Sequence, residues 1–388
     1  MYGVKGKEGF SHLRKIRDYL IILLILIFLI ANSSQVAYKP ATGKAFRLTM
    51  KVTYENMDRE RIWNLTENDR IISLFMNNSW QTVYLVSSSH RIERFDVDSD
   101  GNMVAILNIT KEFILPGEKI SYNVTYELIF RERSLPSISE EESGTLNDIP
   151  KHLCEEYCRP TSLWRSNMSV LNETAWRIAG NETKVLMIIK KLVKWIAENI
   201  NYDTSELPRY PNETLFTGLG DCDDQANLLI TFCRAIGIPA YLQIGCIYIE
   251  RRDEVFKRYW SGHLWIRQIR VGWHGWAIVY IPPWGWLPVD LTYVEGNLKE
   301  NPLNSIVSSA IVKHYTFQYI NIIKTDYVAE TMSLKSFLEA HEFYIYEEDE
   351  MKEMTSDGSL VVKPIIITDL NMFTRVVTFI RQRGSRCE

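Results

Sequence analysis

The residue best placed in this chain to do chemistry is Cys222, in the run Thr217-Gly-Leu-Gly-Asp-Cys-Asp-Asp-Gln-Ala-Asn. Gly218 and Gly220 end a loop, Asp221 suits a helix N-cap with Asp224 three residues on, and Gly237 with Pro239 closes the helix. A thiol at a helix N-terminus is favoured as thiolate, the nucleophilic form, by the macrodipole and the backbone N–H groups of the first turn. Asp221, Asp223 and Asp224 oppose that ionisation, so activation requires a nearby imidazolium. Ala226, Leu229, Ile230 and Cys233 follow on one helical face, which buries the helix and makes Cys233 a core residue. Taken alone, Cys222 is read equally well as a buried, inert thiol.

The base comes from residues 271–293. Trp276 to Ile281 suits a strand, Pro282 to Gly285 a turn, and Trp286 to Leu291 a returning strand. Antiparallel neighbours can bring His274 and Asp290 side by side although they are 16 positions apart. Asp290 can then fix the imidazole tautomer while His274 takes the thiol proton. His263-Leu264-Trp265 is a second His-X-Trp without a matching Asp-bearing strand at hairpin distance, so His263 is read as a packing or surface residue near Trp260.

Gly-Asp-Cys opening a helix, then His274-Gly-Trp, then Gly285-Trp-Leu-Pro-Val-Asp-Leu-Thr, resembles the transglutaminase-like superfamily. The likeness covers about residues 150–320. It implies a papain-like α+β core, with Cys222 as nucleophile, His274 as general base and acid, and Asp290 as orienting carboxylate. Ala277-Ile278 stands where many members have an acidic residue, so substrate handling is expected to differ. The oxyanion hole would use the Cys222 backbone N–H and a second donor the sequence does not place. Tyr202 is one candidate, and a core aromatic role is the competing reading.

Other elements must hold these residues. Phe46, Leu48, Met50, Val52 and Tyr54 alternate with polar residues, as do Ile120, Tyr122, Val124, Tyr126, Leu128 and Phe130, and period two marks half-buried strands. With short runs at Thr82–Val86 and Met103–Ile109 and turns at Asp100-Gly101 and Pro116-Gly117, residues 42–133 read as an immunoglobulin-like β-sandwich, an arrangement that also resembles archaeal members of the superfamily. Asp96, Asp98, Asp100 and Gly101 imitate the start of a calcium loop, but Leu107 stands where its bidentate Glu belongs, which favours a hairpin turn. Residues 134–150 form a polar connector and 151–325 the catalytic domain. Within that domain Val185, Leu186, Ile189, Val193 and Ile196 give a core-packing helix between Asn181 and Asn199. The extension 326–388 carries an acidic run, Glu347 to Glu350, read as a solvated face, and a strand-like run, Leu360 to Ile367.

With 44 basic and 48 acidic residues, a net charge of -4 and 46% apolar residues, the 388-residue chain is neither a disordered chain nor an overall basic nucleic-acid binder. Its six cysteines lack zinc-ribbon spacing. Cys154 and Cys158, near His152, are read first as a local disulfide and next as free thiols, with an incomplete metal set as a third reading; Cys246 is read as core. The basic residues 1–18, then an apolar run from Leu20 to Ala31 within residues 19–38, form a signal peptide or signal anchor that leaves the rest outside the cytoplasm. Nine Asn-X-Ser/Thr sequons, the last at Asn212, fit a glycosylated exterior. The Trp-rich stretch from Trp273 to Trp286 is read as packing around the catalytic hairpin rather than as a membrane belt.

These expectations combine into an extracytoplasmic thiol enzyme acting on amide bonds of proteins or peptides, with hydrolysis favoured over crosslinking, no cofactor, and membrane contact through the N-terminal segment if that segment is uncleaved. The alternative is a catalytically inactive surface binding or scaffold protein.

Overall fold

The computed structural model of the protein describes residues 43–354. The N-terminal basic and apolar segment and the Leu360–Ile367 run lie outside the described residues, among which no helix is long and apolar enough to cross a membrane.

Among the described residues, five sheets, two of them of only two short strands, and a layer of helices make a mixed α+β structure. The largest sheet has six strands, in the order Val255–Tyr259, Leu264–Ile269, Phe343–Met354, Ala45–Asn56, Lys119–Phe130 and Gln81–Ser88. A four-stranded sheet runs Gly285–Val289, Val271–Ile281, Ala240–Tyr248, Thr316–Ile322, and a three-stranded one runs Ile71–Ser73, Met103–Leu107, Ile92–Val97. The expected alternating strands form where the pattern places them. Leu48 sits opposite Tyr126 and Met50 opposite Val124, with all four side chains buried. Gly101 and Gly117 take positive φ at the two expected turns, a backbone region open mainly to glycine.

The six-stranded sheet is assembled from three parts of the sequence. The strand Phe343–Met354 fills the place between Ala45–Asn56 and the 255–269 hairpin, pairing antiparallel with the first and parallel with Leu264–Ile269. The run Glu347–Glu350 is therefore only partly solvated, with Asp349 buried and the three Glu half-buried. Ile345 and Met351 point into the core, Asp349 is buried and accepts from Trp273 Nε1 at 2.8 Å, and Glu348 binds Lys51 at 2.6 Å and Arg267 at 3.2 Å. Cations on both adjacent strands turn an acidic run into an interior strand, a pairing invisible in the local sequence.

The two larger sheets share a core. Phe46 packs on Tyr248 (4.8 Å between ring centroids) and Phe317 (5.4 Å). Gln81 exchanges two hydrogen bonds with the Gln318 backbone, each 2.7 Å. Arg133, buried and with its guanidinium pushed down to about 9 by that burial, donates to the carbonyls of Ile311 and Thr316. On the other face of the four-stranded sheet, the helices Ser169–Ala179, Val185–Asn199 and Cys222–Ile236 bury Leu171, Leu186, Ile189, Val193 and Leu229 against Ala277, Val279 and Ile281.

Gly245 is the tightest point of the four-stranded sheet. A Cβ there would lie 2.3 Å from the Phe317 carbonyl oxygen and 2.6 Å from the Trp276 ring. Gly245→Ala is expected to lower stability by about 1–3 kcal/mol, as overpacking of a filled core does. Urea unfolding followed by tryptophan fluorescence checks it; an unchanged midpoint would show that the strand moves freely at this position.

Candidate active site

The helix Cys222–Ile236 begins as the sequence leads one to expect. Asp221 stands outside the helix with extended backbone, its N–H donating to Asp224 Oδ2 at 3.3 Å, and Gly237 ends the helix at φ +91°. Gly220, paired in parallel with Tyr202, brings the chain in tightly: a Cβ on it would sit 2.9 Å from the Asp224 Cβ. Cys222 is thereby set at the first turn, 1% exposed. Its sulfur stands in a disulfide, and the thiols of Cys154, Cys158, Cys233 and Cys246 are free.

His274 lies on the strand Val271–Ile281, directly opposite Gly245. That strand approaches the Cys222 helix closely at Gly275: a Cβ there would lie 3.0 Å from the Asp223 Cβ, so a larger residue at 275 requires its neighbours to give way. Cys222 and His274 are thus each one position from the contact between their elements. His274 Nε2 pairs with Asp290 Oδ2 at 2.8 Å, with both residues fully buried. The hairpin ladder stops at Ala277–Val289, so Asp290 is the first residue past its strand and diagonal to His274. Its Oδ1 accepts from the backbone of Thr292 and Tyr293 at 3.1 Å, its Oδ2 also from Ala310 N–H at 3.4 Å. Four donors therefore hold the carboxylate, and the ring of Tyr293 flanks His274 at 5.9 Å. Pairing through Nε2 leaves Nδ1 as the imidazole nitrogen for proton transfer.

His263 is elsewhere. Its Nδ1 meets the Phe343 carbonyl at 2.9 Å and its ring stacks on Tyr344 at 4.5 Å, the packing role expected of it. Tyr202 is 46% exposed rather than a core aromatic. Burial of its phenol, followed by the charges of Asp221, Asp223 and Asp224, pushes its ionisation up, so the hydroxyl beside the helix N-terminus stays neutral. Cys154 and Cys158 are free thiols, so the local disulfide expected first does not form. Cys154 lies inside the helix Lys151–Tyr157 and directs its Sγ to the Gly237 carbonyl at 3.5 Å, while burial and then Cys154 push the Cys158 thiol up to about 12. Cys246 and Cys233 are buried in the core as expected. The indoles of Trp276 and Trp286 pack around the hairpin, as read from the sequence.

Two features next to Cys222 were not legible in the sequence. A chain of donors runs from Trp164 Nε1 to Asn227 Oδ1 (3.0 Å), from Asn227 Nδ2 to Tyr327 Oη (2.7 Å), and from Tyr327 Oη to Asp223. Tyr327 comes from a stretch assigned to the extension, and no spacing rule links it to Asp223. The second feature is Arg209. Its Nη1 and backbone N–H reach the two oxygens of Asp224 at 2.9 and 2.6 Å, and its Nη2 reaches Asp203 at 2.5 Å. Burial and the Asp223 charge push Asp224 up to about 7 against the pull of Arg209.

Residues 172–291 match the family model described as the transglutaminase-like superfamily. No curated protein matches the chain. Among solved structures, a protein from Cytophaga hutchinsonii named as a candidate cysteine protease aligns over 82% of this chain and 93% of its own at 16% identity, with a TM-score of 0.46. A candidate protease from Parabacteroides distasonis ATCC 8503 aligns over 64% of this chain and 69% of its own at 10% identity, with a TM-score of 0.20.

Removing Arg209 would leave Asp224 buried without its cation. Arg209→Ala is expected to destabilise by about 3 kcal/mol, the scale for breaking a buried pair. The sign of the pH dependence follows from Asp224, whose folded value lies above the unfolded value of about 3.9. A group of that kind favours folding in its protonated form, and the benefit fades as pH rises from about 4 through its folded pKa. The loss in Arg209→Ala is therefore larger at pH 8 than at pH 5, measured by urea unfolding at the two pH values; equal losses would show that Asp224 is not the group left exposed to the change. The chain carries a transglutaminase-like domain over residues 172–291, with Cys222, His274 and Asp290 inside it or at its edge.

Proposed function

We propose that the protein is a thiol-dependent protease or amidase, acting outside the cytoplasm on proteins or peptides through an acyl-enzyme at Cys222. The observation that carries this reading is the buried His274–Asp290 pair on a strand pressed against the N-terminal turn of the Cys222 helix. The exterior location rests on the basic and apolar N-terminal residues and on the sequons.

In the reduced enzyme, His274 Nδ1 takes the Cys222 proton and the sulfur attacks the substrate carbonyl. The tetrahedral oxyanion lies at the helix N-terminus, where backbone N–H groups favour negative charge. His274 then returns the proton to the leaving amine, giving a thioester. Water, deprotonated by the same imidazole, attacks the thioester and releases the acid. Asp290 keeps Nε2 protonated and stabilises the imidazolium in both halves. A primary amine in place of water would give crosslinking through the same steps.

The alternative, an inactive surface binding protein, is favoured by one observation: Cys222 is in a disulfide, and a sulfur so bonded is no nucleophile. The test is the pH dependence of Cys222 alkylation on the full chain, before and after a mild reductant, read by peptide mass spectrometry. After reduction, the expected rate is half-maximal well below the free-thiol pKa of about 8.5, and His274→Ala abolishes the low-pH limb. Asp290→Asn should lower turnover of a peptide amide by about 10²–10⁴-fold with a smaller change in KM. A Cys222 that remains unreactive in the reduced protein, or reacts identically in His274→Ala, would move the assignment to the binding protein. Incorporation of a fluorescent primary amine that outpaces hydrolysis would identify a crosslinking enzyme.

A further inference from the structure

The outer face of the six-stranded sheet carries aromatic rings where a solvated sheet face is expected to be polar. Along Ala45–Asn56 and Phe343–Met354 the residues Val52, Tyr54, Ile345 and Met351 point into the core, so Thr53, Tyr346 and Glu348, which alternate with them, point away from it. Tyr346 lies directly between Thr53 on one neighbouring strand and Trp265 on the other. One row further along, Glu348 lies between Lys51 and Arg267, and Phe256 stands opposite Arg267 on the edge strand. Trp265 meets Tyr346 at 5.3 Å and Phe256 at 5.2 Å between ring centroids, which makes the rings continuous across three adjacent strands. Phe256 is 47% exposed, a position where an antiparallel sheet with one wet face has no structural use for a ring.

The three rings line a trough of about 420 Å³, together with Thr53, Glu55, Lys119 and Arg267. That volume falls within the range of small-ligand sites, about 300–1,000 Å³. Its charges cancel. The carboxylates of Glu55, Glu347 and Glu348 are balanced by Lys119, Arg267 and Lys51: Lys119 is 3.9 Å from Glu55, and Glu348 takes Lys51 at 2.6 Å and Arg267 at 3.2 Å. Just beyond the wall Glu254 binds Arg267 at 2.7 Å and Arg258 lies 4.0 Å from the centre of the Trp265 ring, which keeps the balance. A polyanion or a cationic peptide would have to break these pairs and would gain no net field in return. What the trough offers is apolar ring surface beside hydrogen-bonding groups of both kinds. A sugar matches that offer, with a C–H face for the rings and a rim of hydroxyls that donate and accept.

We propose that this trough binds a neutral oligosaccharide, with Trp265, Tyr346 and Phe256 against its sugar rings and Glu55 and Arg267 bonded to its hydroxyls. The site uses none of Cys222, His274 and Asp290 and lies on a different sheet from His274, so it stands or falls independently of the thiol chemistry proposed above.

Isothermal titration of the full chain with maltohexaose, cellohexaose, mannohexaose and N-acetylchitohexaose tests the site, beside a heparin hexasaccharide and a decaproline peptide. The expected result is saturable binding of at least one neutral sugar, with an affinity that changes less than about twofold between about 50 and 500 mM sodium chloride, as a contact without net charge requires. Trp265→Ala and Phe256→Ala should each weaken that binding about tenfold, the scale of one lost ring contact. Phe256 is exposed, so its variant should keep the wild-type thermal midpoint and the wild-type rate of Cys222 alkylation after reduction. No binding of any of the neutral sugars, undiminished binding in both variants, or preference for the heparin fragment overturns the proposal. Saturation by decaproline in place of the sugars overturns it as well, in favour of a proline-rich peptide, the other ligand that aromatic grooves take.

Discussion

A close approach of two elements at Gly275 and Asp223 governs the site. At this point the strand bearing His274 lies so near the helix bearing Cys222 that a single added Cβ would stand 3.0 Å from the Asp223 Cβ. The helix is pressed into place from behind by Leu171, Leu186 and Val193, and the strand is fixed in front by its ladder to Ala240–Tyr248. Neither can shift without opening the core, so the relation between Cys222 and the His274 imidazole is a consequence of packing. A core at near-crystalline density holds such a spacing to a fraction of an ångström.

Around that contact the polar groups are arranged by need. Asp290 would be expensive at full burial, and the structure answers with three backbone N–H groups and the imidazole. The three acidic residues flanking Cys222 pose a larger difficulty, because each disfavours a thiolate. Asp224 is held by Arg209 and Asp223 Oδ2 by Tyr327, while Asp223 Oδ1 stays 3.9 Å from the Cys222 sulfur. The sulfur of Cys222 stands in a disulfide, which masks it as a nucleophile.

The same accommodation of charge explains why the N-terminal β-rich region and the candidate site residues form one body. The acidic strand Phe343–Met354 finds Lys51 on one neighbour and Arg267 on the other, and Arg133 spans to the carbonyls of Ile311 and Thr316. Tyr327, on the helix just before the acidic strand, then reaches Asp223. A stretch that looks like a C-terminal extension is thereby part of the frame that holds the site.

The local structure and the candidate site residues were legible in the sequence alone. Period two at Phe46–Tyr54 and Ile120–Phe130, the Gly218–Gly220 loop with its Asp221 cap, and the His274–Asp290 hairpin are each written within a window of about twenty residues, where backbone preference and side-chain alternation act directly. The match of residues 172–291 to the transglutaminase-like superfamily agrees with that reading. Pairings between residues far apart in the chain emerge only on folding: Glu348 with Lys51, Arg209 with Asp224, Tyr327 with Asp223. The tertiary structure also decided that Cys154 and Cys158 remain thiols and that Tyr202 stands half-exposed at the rim. Charge complementarity across strands depends on which strands become neighbours. That is fixed by the burial of the whole chain, a quantity that no local pattern carries.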